Sequence, residues 1–379
     1  SYVLEERMAG SEENVNNFLE DLYQKALPAA KKESEELEDF AKENLNLDKI
    51  EKWDTAYVSE KLKQAQLDLN EQLLKPYFPL EKVKLGLFEI VGKLYGLSFK
   101  KNNDIEKYHE EVDIYEVFNS QGEYHALLYT DFFPREGKRN GAWMTSYRTQ
   151  KKGQRPHISI VCNFSKPTAS LPSLLTFQEV STLFHEFGHA LHGILADTTY
   201  GALSGTNVHW DFVELPSQIM ENWCYEKQAL KLFAKHYKTN EIIPMRYVKK
   251  IKKVAHFQQG LQTLRQLGFG FLDLSYHNKK ATEIKDVKNH EKEILQRVQF
   301  LGDYQENCTS TAFSHIFQGG YSAGYYSYKW SEVLDADAFE LFLEKGIFDL
   351  ETSKSFKENI LSKGGTEHPM KLYKRFRGK

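Results

Sequence analysis

A chain of 379 residues, 41% hydrophobic and 27% charged, has enough apolar material for a large buried core and none of the bias of a disordered or fibrous protein. Its 50 basic and 53 acidic residues leave a net charge of −3, so no global field recruits nucleic acid or an anionic membrane. No apolar run nears the roughly 20 residues that span a bilayer, and Cys162, Cys224 and Cys308, without any Cys-x-x-Cys pairing, argue for a reducing, cytoplasmic setting rather than a disulfide framework.

Taken in chain order, Val15, Phe18, Leu19 and Leu22 follow Ser11 at helical spacing, with Glu12 and Glu13 in the first turn, and predict a capped amphipathic helix. Acid- and lysine-rich helical segments continue over 31–44, 58–74 and 80–97, broken at Pro28, at 45–48 and at Pro79. The period changes between 112 and 164. There 112–118 alternates, 119–122 turns and 124–129 returns as a hairpin, and 141–147 and 157–162 add two strands. Helices are then expected over 174–196, 212–236, 245–276 and 282–298. The basic runs at 249–253 and 371–379 are solvated helix faces. The predicted fold is mainly α, with a small antiparallel or mixed sheet over 112–164.

The chemistry concentrates in His185-Glu186-Phe187-Gly188-His189. On a helix, residues four apart project from one face a turn apart, so His185 and His189 can share one metal, while Glu186 is offset and can reach a water on it. The alternative is an ordinary amphipathic helix carrying two histidines. A catalytic zinc takes three protein ligands and keeps one open position. The helix predicted from about residue 212 offers Glu214 as the third, against the reading of Asp211 and Glu214 as a capping box. His192 lies on the same face as His185, but a fourth protein ligand would close the open position, so it is read as packing or as a support behind the ligands. Glu221 could orient a ligand histidine through its other nitrogen or serve as a solvated or capping residue, and Asp211 is read as an N-cap.

The segment 314–330 places Gly319, Gly320 and Gly324 among four tyrosines and His315. If a helix begins after Gly320, then Tyr321, Tyr325 and Tyr328 share a face and Tyr326 points elsewhere. Such a row supplies phenol donors to a developing oxyanion or forms a buried aromatic stripe, and the spacing alone does not choose.

Three blocks, His185 to Gly193, Leu203-Ser204-Gly205-Thr206-Asn207 leading into Asp211 to Gln218, and His315 to Tyr326, resemble the thimet-oligopeptidase family of zinc metallopeptidases, most closely its bacterial peptidyl-dipeptidase branch. The resemblance runs along nearly the whole chain and implies a zincin-like helical catalytic domain, 1–379, with its sheet beside the metal helix. It implies Zn2+ held by His185, His189 and Glu214, selecting Glu214 over Glu221, with Glu186 as the general base. Equivalents of His315, Tyr321 and Tyr328 bind the substrate or its transition state, and Tyr325 shares their row. The implied activity is hydrolysis of short peptides by a monomer, with release of C-terminal dipeptides. Internal cleavage and an inactive zinc-binding fragment are the alternatives, because family members are longer at the N-terminus and this chain resembles their C-terminal, catalytic part. An edge strand near Ala142 and Trp143 could pair with an extended substrate. Gln318 departs from the small residue usual in that branch.

Overall fold

The computed structural model describes residues 2–68, 71–278, 283–302, 307–318 and 320–378; Gly319 and the predicted helix boundary at residue 282 lie outside them. The principal helices are α1 (Glu12–Leu45), α2 (Thr55–Leu67), α3 (Leu80–Tyr95), α4 (Phe177–Ile194), α5 (Leu215–Glu221), α6 (Lys227–Phe233), α7 (Met245–Val254), α8 (Gln259–Asn278), α9 (Val287–Leu295), α10 (Ser327–Lys345), α11 (Leu350–Phe356) and α12 (Pro369–Arg377). The strands are β1 (Ser98–Asn102), β2 (Asp113–Phe118), β3 (Tyr124–Asp131), β4 (Trp143–Arg148) and β5 (His157–Val161). Two compact units result, one from Ser1–Asn70 with Lys249–Trp330 and one from Glu71–Val248 with Ser331–Lys379.

In the first unit, Ser11 caps α1 as predicted, its hydroxyl accepting from Asn14 N. The helix nevertheless runs through Pro28 for 34 residues instead of breaking there. Tertiary packing overrides the local penalty: α8 lies along α1, and a Cβ on Gly260 would stand 2.5 Å from Ala30 N, so the two backbones are nearly in contact just beyond the proline. Leu19, Ala30, Leu264 and Leu267 form the buried seam. The mostly helical stretch expected over 245–276 consists of α7 and α8, with Gln258 at φ 54° between them.

In the second unit the strands lie in the order β1-β2-β3-β5-β4. The predicted hairpin is β2 and β3, β3 pairs with β5 in parallel, and β4 pairs antiparallel with β5 and forms an edge. The sheet is therefore mixed. β1 was not foreseen, because Ser98-Phe99-Lys100-Lys101-Asn102 has a single apolar residue. Its anchor is tertiary, with Phe99 stacked on Phe88 of α3 at 4.0 Å. Lys138 secures the chain between β3 and β4, donating to the carbonyls of Asp131, Phe133 and Cys162. No helix among the described residues is long and apolar enough to cross a membrane.

Candidate metal centre

α4 packs against β5 and β4, and both its ends are fixed by side chains. At the start, Thr176 and Glu179 form a capping box. At the end, Arg155 donates to the Ile194 and Ala196 carbonyls at 2.7 and 3.1 Å, placing a guanidinium on the negative pole of the helix. α4 meets α5 across Gly188, where a Cβ would sit 2.1 Å from the Pro216 carbonyl oxygen. The glycine inside the histidine motif thus allows the backbone carrying Glu214 to approach.

The long helix expected over 212–236 is replaced by a 3₁₀ turn at Trp210–Phe212, α5, a second 3₁₀ turn at Asn222–Tyr225, and α6. Two side chains hold α5's C-terminal end to other elements: Asn222 Nδ2 bonds Asp335 Oδ1 and Trp223 Nε1 bonds the Ile347 carbonyl. Glu214, not Asp211, occupies the position before α5, with Pro216 in its first turn. The capping role for Asp211 is corrected accordingly. Asp211 is fully buried within the preceding turn, its carbonyl accepting from Ser331 Oγ at 3.1 Å.

His185 Nε2 and His189 Nε2 each lie 3.2 Å from the same oxygen, Glu214 Oε2, and one donor atom from each residue falls within 4.8 Å of the others. Tetrahedral zinc bonds of about 2.0–2.2 Å put neighbouring donor atoms about 3.3–3.5 Å apart, and the two histidine–carboxylate separations of 3.2 Å lie close to that range. The residue types fit as well, since two imidazoles and a carboxylate leave a fourth position open. Burial pulls His185 down, but its hydrogen bonds to the Glu214 and Glu221 carboxylates outweigh it and hold its pKa well above the usual histidine value. Burial pushes Glu214 up, and the two imidazoles overcome it and hold the carboxyl far below the usual range. The pocket favours positive charge beside an ionised Glu214.

His185 Nδ1 donates to Glu221 Oε1 at 2.7 Å, and Ser181 Oγ donates to the other oxygen, Oε2, at 3.0 Å. Glu221 therefore orients the imidazole from behind. Ser181, one turn before His185, escaped the sequence reading; its spacing was the available signal. Ser217 Oγ bonds Glu214 Oε2 at 2.9 Å. Glu186 is 6% exposed, and burial raises its carboxyl pKa, with the facing histidines opposing. His192 is completely buried, with no hydrogen-bond partner for either ring nitrogen among the described residues, and burial lowers its pKa to about 3, in keeping with a packing role.

His315, Tyr321, Tyr325 and Tyr328 come together in the first unit, although α10 starts only at Ser327 and not after Gly320. Irregular backbone arranges them instead. Tyr321 stacks on Tyr328 at 5.2 Å and 7°, His315 lies edge-on to Tyr321 at 4.5 Å, and the Tyr328 hydroxyl is 3.2 Å from His315 Nε2. Tyr325 is buried and donates its phenol to Gln266 Oε1, while Tyr326 turns into the other side of the core beside Trp330. The organising residue is Asp273 on α8, completely buried. Its carboxylate accepts the backbone amides of Ala323, Gly324 and Tyr325 at 2.8–2.9 Å and lies 2.8 Å from His277 Nδ1. Asp273 carried no sequence signal, being 50 residues from the amides it holds.

A histidine-pair helix packed on a mixed sheet, with a carboxylate delivered from the next helix, defines a zincin-like helical fold. The chain belongs to peptidase family M3, whose family pattern matches residues 1–379. It is 42% identical over 380 residues to oligopeptidase A of Escherichia coli (strain K12), covering 98% of this chain and 56% of that protein. It is 36% identical over 384 residues to dipeptidyl carboxypeptidase of the same organism, covering 100% of this chain and 56% of that one. The chain thus spans little more than half the length of these curated relatives. The fold also matches the solved structure of PZ peptidase A with inhibitor 2, at a TM-score of 0.59 and 15% identity, over 97% of this chain and 54% of that chain.

Proposed function

We propose that this chain carries the catalytic centre of a zinc peptidase that hydrolyses short oligopeptides and releases C-terminal dipeptides. The observation that carries the reading is the convergence of His185, His189 and Glu214 on one point with a buried carboxylate, Glu186, on the same helix. Zinc bound by these three supplies Lewis acidity that polarises the scissile carbonyl and acidifies the attacking water. Glu186 takes that water's proton as oxygen bonds to the carbonyl carbon, and returns it to the amide nitrogen as the carbon–nitrogen bond breaks. Glu221 holds His185 in the tautomer that presents Nε2. His315, Tyr321 and Tyr328 hold the peptide or its oxyanion through ring nitrogen and phenol donors, and Tyr325, through its bond to Gln266, braces that row. β4, an edge strand beside α4, is the proposed partner of an extended substrate. The three cysteines are free thiols, which supports a cytoplasmic setting.

The alternative reading is internal cleavage, because the relatives carry both the names oligopeptidase A and dipeptidyl carboxypeptidase. Metal analysis together with mass spectrometry of the products from one free-carboxyl and one C-terminally blocked peptide tests both. Glu186→Gln is expected to keep stoichiometric zinc and lose nearly all turnover, because an amide accepts no proton from water. Loss of zinc along with activity would refute the base assignment. Dipeptide products from the free peptide alone support the first reading, and cleavage of both peptides at one internal bond the second.

A further inference from the structure

α5 spans only seven residues, Leu215–Glu221, and isolated helices shorter than about 12–15 residues are marginal in water. Its two functional carboxylates stand where such a helix is weakest: Glu214 immediately precedes its first residue and Glu221 is its last. Helix ends fray, so the positions of Glu214 and Glu221 depend on anchors outside α5. Near its start, the backbone of α4 at Gly188 comes against the Pro216 carbonyl. Both flanks of the segment are held by α10. Ser331 Oγ donates at 3.1 Å to the carbonyl of Asp211, which precedes Glu214, and Asn222 Nδ2, next after Glu221, donates to Asp335 Oδ1 at 2.5 Å. The same amide nitrogen lies 3.4 and 3.3 Å from the Gln218 and Ile219 carbonyls, so Asp335 is tied to the last turn of α5 as a whole. Ser331 and Asp335 sit one turn apart on one face of α10, and both are buried. α10 is itself fixed at that point, because the Tyr373 hydroxyl of α12 donates to the Leu334 carbonyl at 2.8 Å.

Resting on the metal-centre reading above, we propose that Ser331 and Asp335 are positioning residues of that centre, gripping both flanks of the segment that carries Glu214 and Glu221. The grip acts through Glu221. Its carboxylate accepts from His185 Nδ1 at 2.7 Å, and a partner behind a ligating imidazole typically contributes about 10–100-fold in metal affinity. Without Asp335, Asn222 releases the last turn of α5, Glu221 drifts from Nδ1, and His185 no longer aims Nε2 at the point it shares with His189 and Glu214. Burial pushes the Asp335 carboxyl up to about 8, so at neutral pH Asn222 meets an uncharged group that serves as an acceptor. Asparagine supplies the same acceptor oxygen.

Three quantities test this: the zinc affinity of the full chain by competition with a chromophoric chelator, the visible absorption of the Co2+-loaded chain, and the Tm of the metal-free chain. Asp335→Leu, which fills the site but accepts no hydrogen bond, is expected to weaken zinc binding about 10–100-fold and to change the Co2+ bands. Asp335→Asn should restore the wild-type affinity and bands. Ser331→Ala deletes one neutral hydrogen bond and should weaken zinc about 2–10-fold. A contact that only stabilises the fold would lower the metal-free Tm in Asp335→Leu and leave affinity and bands unchanged, and that result overturns the proposal. So does an Asp335→Asn variant that binds zinc as weakly as Asp335→Leu. Should Asp335→Leu fail to fold, Ser331→Ala decides, because wild-type zinc affinity there refutes the grip. A wild-type chain that binds no zinc sinks the metal centre itself, whereas tight binding unmoved by these substitutions sinks only the role of α10.

Discussion

The metal centre and the aromatic cluster carry the proposed chemistry on opposite kinds of scaffold. His185, His189 and Glu221 ride on helices, Glu214 stands immediately before one, and α4 is fixed at both termini by Thr176, Glu179 and Arg155. The tyrosines stand on or beside irregular backbone whose amides are gathered by one buried carboxylate, Asp273. A helix positions side chains by a repeat written into local sequence, and its errors are small. A turn with few backbone hydrogen bonds of its own depends on a distant partner, so a single side chain decides its geometry.

The sharpest way to break the first region is Gly188→Ala. The new Cβ meets backbone, the Pro216 oxygen at 2.1 Å and Ser217 Cα at 2.5 Å, and neither yields as a flexible side chain would. Separating α4 from α5 should cost about 3 kcal/mol or more and lower zinc affinity by about 100-fold, since Glu214 leaves the point that the histidines share. Zinc content after dialysis and thermal melting check this; full zinc retention would show that the helix crossing does not set the ligand geometry.

For the second region the corresponding change is Asp273→Asn, which keeps the shape and removes the charge and one acceptor. Charged hydrogen bonds contribute about 1.5–3 kcal/mol each, so the 323–325 amides should exchange with solvent at least about tenfold faster and KM should rise, while zinc content stays at one per chain. Unchanged exchange at those amides would remove Asp273 from the account of the cluster.

A further prediction is a pH dependence. Burial pushes the Asp335 carboxyl up to about 8 from its ordinary 3.8; the Asn222 hydrogen bond opposes this, and repulsion from Glu221 and Glu332 adds to it. Its folded-state pKa is raised, so the folded state holds a proton that the unfolded chain releases above about pH 4, and stability falls as pH rises from about 4 towards 8. Asp335→Asn should therefore gain little at pH 4 and raise stability by a few kcal/mol at pH 7–8. Melting curves at those pH values check it, and an equal shift at both ends would locate the effect elsewhere.

Legibility followed the same division. The sequence by itself offered the α4 centre, because His185 and His189 lie one helical turn apart with Glu186 beside them, while the choice of Glu214 over Glu221 rested on the family resemblance; the β2–β3 hairpin and the cap at Ser11 were equally local. The continuation of α1 through Pro28, the strand at Phe99, the late start of α10 and the role of Asp273 were decided only by tertiary structure. In each of these the governing contact joins residues distant in sequence, or sets packing against a local preference: Ala30 against Gly260, Phe99 against Phe88, and Asp273 against the amides of 323–325. Local spacing fixes which side chains share a face. What overrides a proline or holds an irregular turn is a partner that only the folded chain brings within reach.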